Sequence, residues 1–140
     1  MMGEVAYWLV NSGTQKHPLR PGDGAVLAAF ERWEARFGPV QGLDRPYSMR
    51  PGDVLIHRSI YTSVSRLVAV GTVDARPEAR RVAEWDYSVR RTITDLVPTL
   101  RLGPPLENLR LPPIRLTKRL DDDTGAEAVR QIQQAANRAG

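Results

Sequence analysis

The run Met49-Arg50-Pro51-Gly52-Asp53-Val54-Leu55-Ile56-His57-Arg58 sets a turn against a strand. Proline presets φ at the second position of a reverse turn, glycine accepts the positive φ of the third, and the aliphatic run behind them reads as extended chain. Downstream, residues 66 to 75 read as a further strand, with Leu67, Ala69, Gly71 and Val73 alternating with Val68, Val70, Thr72 and Asp74. A glycine inside such a run marks a bulge or a close backbone approach. Residues 85 to 96 alternate more cleanly. Trp85, Tyr87, Val89 and Ile93 fall on one face, and Asp86, Ser88, Arg90, Thr92 and Thr94 on the other, which predicts a long strand with one wet face. Upstream, Val5-Ala6-Tyr7-Trp8-Leu9-Val10 reads as a buried first strand ended by the polar turn Asn11-Ser12-Gly13.

Helical signals lie at two places. Val26, Phe30, Trp33 and Phe37 recur at helical spacing within residues 23 to 37, and Gly38-Pro39 stops the run. Near the end, Thr124 reads as the cap of a helix running to about Arg138, with Ala128, Val129, Ile132 and Ala136 on its apolar side. Pro98, Pro104, Pro105, Pro112 and Pro113 break the region between, and residues 114 to 119 can supply a last strand. Residues 1 to 140 therefore read as a single α+β domain: a small, strongly curved β-sheet or barrel flanked by helices.

Composition narrows the chemistry. With no cysteine, the chain has no disulfide, thiolate nucleophile or Cys-ligated metal. The first ten residues make too short an apolar run, broken by Glu4, for a signal peptide, and no later stretch has membrane-spanning length, so the expected setting is the cytoplasm. The net charge of +4 is unevenly distributed. Residues 45 to 119 hold 14 bases and 7 acids, while the flanking segments are slightly acidic. A basic middle suits a surface that meets phosphates, displacing counterions from a polyanion.

The order of these pieces resembles the EVE domain, a branch of the PUA-like superfamily related to the YTH and ASCH domains. The carrying motifs are Tyr7-Trp8-Leu9-Val10-Asn11-Ser12, Gly52-Asp53-Val54-Leu55-Ile56-His57-Arg58-Ser59, Val68-Ala69-Val70-Gly71-Thr72-Val73 and the Trp-led strand from Trp85 to Thr94. The resemblance spans nearly the whole chain. It departs after the first strand, where the family's Lys-Ser-Glu-Pro appears as Asn11-Ser12-Gly13-Thr14. The resemblance implies a PUA-like barrel that binds nucleic acid and holds one extruded, modified base in an aromatic-lined pocket, the implied ligand being 5-methylcytosine or 5-hydroxymethylcytosine in DNA.

A base outside its stack needs flat faces above and below and polar groups along its edge. The expected pocket draws on Trp33, Tyr61 and Trp85 for stacking, and on Asn11, Ser12, His57 and Ser59 for the edge. Lys16, Arg20, Arg45, Arg58 and Arg66 are the expected phosphate contacts. Two histidines, His17 and His57, without metal-ligand spacing, and three successive carboxylates at Asp121-Asp122-Asp123 that read as solvated, predict neither metal nor cofactor. No nucleophile elbow or phosphate loop is present, so the expectation is a monomeric binding domain and not an enzyme. Two readings stay open beside it. One is an RNA-binding domain of tRNA or rRNA maturation. The other is an ASCH-like hydrolase of modified nucleosides, of whose Lys-Thr-Glu set Lys16 with Thr14 is a loose echo.

Overall fold

The turn ahead of the central strand forms as its residues dictate. Asp53 N–H donates to the Arg50 carbonyl at 3.1 Å, Pro51 sits at the second position, and Gly52 takes a φ of 92°, the type II pattern. The computed structural model describes residues 5–13, 32–36, 48–61, 64–79, 86–96 and 117–139. Within them lie strands β1 (Tyr7–Gly13), β2 (Arg32–Arg36), β3 (Val54–Tyr61), β4 (Val64–Val73), β5 (Glu78–Ala79), β6 (Asp86–Leu96) and β7 (Lys118–Leu120), followed by helix α1 (Asp122–Ala139). The seven strands make one sheet in the order β2-β6-β4-β3-β1-β7, with β5 also paired to β6. β1 and β3 run parallel, and the other pairs are antiparallel. The architecture is α+β.

Alternation along the strands sorts two apolar layers. Leu9, Ile56, Leu67, Val70 and Leu120 meet Ala128 and Ile132 of α1, with Tyr7, Val54, Val129 and Ala135 packed around them. Trp8, Val10, Leu55, Val73 and Val89 form a second layer with Ala6 and Met49 on the face turned away from α1. Asp53 pins that second layer. Its carboxylate accepts hydrogen bonds from Trp8 Nε1 at 2.9 Å, Arg50 N at 2.9 Å and Ala6 N at 3.2 Å. Trp8 is thus a core residue, fully buried, with its indole N–H satisfied.

Three register shifts bend the sheet. One falls between Asn11 and Gly13 of β1, one at His57/Arg58 between β3 and β4, and one at Val70/Gly71 between β4 and β6. Each adds an unpaired residue and increases local twist. Both sequence readings of Gly71 are met: besides the shift, a Cβ there would lie 2.5 Å from the Thr92 carbonyl oxygen.

Several expectations are corrected. Residues 32–36, read as the end of a helix, form β2 and pair antiparallel with residues 86–90 of β6; residues 23–31 lie outside the described part. Arg32-Trp33-Glu34-Ala35-Arg36 also alternates, and the partner strand decides between two periods that five residues cannot separate. β1 runs through Gly13, so Asn11 and Ser12 are strand residues and not a closing turn. Tyr61 ends β3 and is paired with Val64, not placed in a loop. Asp121, not Thr124, caps α1, accepting from Thr124 N at 2.8 Å and Thr124 Oγ1 at 2.9 Å. These bonds, the backbone one foremost, hold the Asp121 carboxyl below its usual range. The described strands run from β2 to β7 as a path, without closure into a barrel among the described residues.

Candidate functional site

The parallel ladder of β1 and β3 ends at Gly13 and Ser59, two residues before β3 itself ends at Tyr61. Val10 is paired with His57, Asn11 with Arg58 and Gly13 with Ser59, and Ser12 is the extra residue between the last two pairs. Ser59 is in turn paired with Arg66 across β4. Five residues expected at a pocket or phosphate surface, Asn11, Ser12, His57, Arg58 and Ser59, therefore occupy the second half of this parallel ladder, with His57 at the middle of β3, beside two register shifts. Bulges redirect side chains.

The faces divide this group. His57 follows Leu55 onto the layer turned away from α1, whereas Arg58 follows Ile56 onto the α1 side. His57 is 0% exposed and Arg58 only 3%. Burial alone lowers the Arg58 pKa. Arg58 is thus corrected from a solvated phosphate contact to a buried cation on the α1 side.

His57 sits in an unusual setting. Its neighbour across β4 is Ala69, and the next residue of that row is Gly71, so the strand beside the imidazole carries almost no side-chain bulk. Arg91, paired with Val73 on β6 and 2% exposed, acts across this space. Burial first, then the Arg91 charge, hold the His57 pKa well below the imidazole range, so the ring is neutral. Burial also lowers the Arg91 pKa, with the Asp74 carboxylate opposing that shift. Asp74 is itself fixed by Thr92 Oγ1 at 2.7 Å.

A further polar group was missed in the sequence. Thr117 precedes β7, one step beyond the pair Leu9 and Lys118. Continuing that register sets it beside Val10, on the face of His57. It is 2% exposed, and its Oγ1 is buried without a hydrogen-bond partner. Thr117, Val10, His57 and Ala69 thus form one transverse row over β7, β1, β3 and β4. Thr117 stands in no motif and Arg91 was assigned no role in the strand from Trp85 to Thr94, and only strand pairing brings them to the face of His57.

The remaining expected residues are spread elsewhere. Trp33 lies on β2, paired with Val89, two strands beyond β4. Lys16, Arg20, Arg45 and Trp85 lie outside the described residues, as does His17. No group of three or more His, Asp or Glu side chains among the described residues is arranged to hold a metal ion, and no described helix is long and apolar enough to cross a membrane.

No family model matches the chain, and no curated protein matches it. Solved structures do. A hypothetical protein from Leishmania major superposes with a TM-score of 0.58 at 14% identity, covering 94% of this chain and 96% of that one. A crystal structure of an Agrobacterium tumefaciens protein gives 0.53 at 14% identity, over 94% and 95% of the respective chains. At this identity the similarity establishes a shared fold over nearly the full length of all three chains.

Proposed function

We propose that this chain is a non-enzymatic nucleic-acid-binding domain of PUA-like form, which reads a modified cytosine in DNA by taking the flipped base against the sheet face turned away from α1. The observation that supports this reading is buried, neutral His57 on that face at the middle of β3, between Val10 of β1 and Ala69 of β4. A neutral imidazole can donate to or accept from the edge of a base. The excess of bases over acids in residues 45 to 119 supports contact with phosphates. Trp33, Tyr61 and Trp85 are the proposed stacking residues, and Lys16, Arg20, Arg45 and Arg66 the proposed phosphate contacts.

The test is a binding panel of matched DNA and RNA oligonucleotides carrying cytosine, 5-methylcytosine, 5-hydroxymethylcytosine or N6-methyladenine. Binding should favour a modified cytosine in DNA. Burying one methyl group gives about 0.8 kcal/mol, so preference for 5-methylcytosine should be several-fold. Stronger binding to the RNA series would replace the DNA reading with the RNA one, and absence of binding to every probe would end both.

A further inference from the structure

We infer that Thr117 is a specificity-determining residue of this same site, its hydroxyl reserved for a polar atom on the edge of the bound base; the inference rests on the function proposed above. Thr117 is almost wholly buried, and its Oγ1 has no hydrogen-bond partner. A valine of nearly the same shape would fill the space without stranding a polar atom, so the hydroxyl lowers the stability of the free protein. Its position says where a partner would come from. Through Val10 it lies in line with His57, so the hydroxyl and the neutral imidazole stand on one face, with one strand between them. Val10 between them is buried in the layer of Trp8 and Leu55, so a planar ring that takes its place would have one edge facing both groups. A hydroxyl both donates and accepts, and together with a neutral imidazole it matches an edge of alternating donors and acceptors such as that of a pyrimidine.

The experiment compares wild type, Thr117→Val and Thr117→Ser in two measurements: thermal unfolding without nucleic acid, and affinity for a DNA duplex carrying 5-methylcytosine or an abasic site at the same position. Thr117→Val should unfold at an equal or higher temperature, yet bind the methylated duplex about three- to tenfold more weakly, with unchanged affinity for the abasic duplex. Thr117→Ser, which keeps the hydroxyl, should retain most of the wild-type affinity. A Thr117→Val protein that binds the methylated duplex as wild type does would overturn the inference while leaving the proposed function standing. So would equal losses on both duplexes, or a lower unfolding temperature for Thr117→Val that Thr117→Ser does not share. A wild-type protein that binds none of these probes removes the proposed function and the inference with it.

Discussion

Replacing Asp53 by alanine would strand three donors at once, Trp8 Nε1–H and the backbone N–H groups of Ala6 and Arg50. Hydrogen bonds to a charged acceptor contribute about 1.5 to 3 kcal/mol each, and these three share one carboxylate, so Asp53→Ala should cost at least about 3 kcal/mol in urea unfolding. A cost under 1 kcal/mol would show that the carboxylate does not hold the turn to β1. His57 makes stability depend on pH. The folded state keeps its ring neutral, while the unfolded chain takes up a proton near the ordinary value of 6.5. The contribution is therefore complete above that pH and is lost as the pH falls below it, by up to about 1.4 kcal/mol per unit. Urea midpoints between pH 7.5 and 5 should fall for wild type and fall less for His57→Gln; identical profiles would assign the uptake to other groups. Both residues stand in the motif that opened the sequence reading, and their local setting was legible. Their long-range roles were not, because Trp8 is 45 residues from Asp53 and Arg91 reaches His57 only through strand pairing.

Two glycines test the packing of elements. Gly71→Ala would drive a methyl group against the Thr92 backbone, where β4 and β6 approach most closely, and neither strand can yield without losing ladder bonds. Gly125→Ala carries a competing benefit, since alanine favours a helix by about 1 kcal/mol. Here, however, the Cβ would fall 2.2 Å from Tyr7 Cγ, so α1 must move off β1. Both variants should be destabilised. Tyr7 Cβ also meets the added methyl group, so only loss of the whole side chain relieves it: the double variant Tyr7→Gly, Gly125→Ala should cost clearly less than the sum of the two single losses, whereas Gly71→Ala, which meets backbone, should find no such rescue; additive losses in the Tyr7 cycle would place the strain elsewhere. Element type was readable where one period dominated. The extent of β6, and the apolar side of α1 at Ala128 and Ile132, follow from alternation and helical spacing alone, whereas β3, read as ending at Arg58, runs on to Tyr61. At Arg32-Trp33-Glu34-Ala35-Arg36 both periods fit, and the edge of β6 chose. The cap of α1 was misplaced by three residues because Asp121 lies in an acidic run that read as solvent-exposed turn.

At the scale of the molecule, burial sets Arg58 apart from the other arginines expected to meet phosphates. If the basic surface meets phosphates, Arg66→Ala should flatten the dependence of log affinity on log salt by about 0.9 for duplex DNA. Arg58→Ala, which removes a buried cation, should lower unfolding stability and leave that slope unchanged; the reverse pattern would show that Arg58 reaches the nucleic acid. Asn11, Ser12, His57 and Ser59 were named in the sequence, but the parallel pairing of β1 and β3 that brings them together was not. Nor was the division of the site between faces, since a sheet assigns faces only once its neighbours are known. The order of the strands also governs how the chain is made. Tyr7 is paired with Leu120, so β1 waits during synthesis for β7, far downstream, before both its edges are covered. During synthesis Trp8 and Leu9 belong to an unprotected edge, a template for pairing between nascent chains. A chain halted before residue 117 should therefore accumulate in aggregates, while the full-length protein released from the same ribosomes remains in the supernatant after centrifugation.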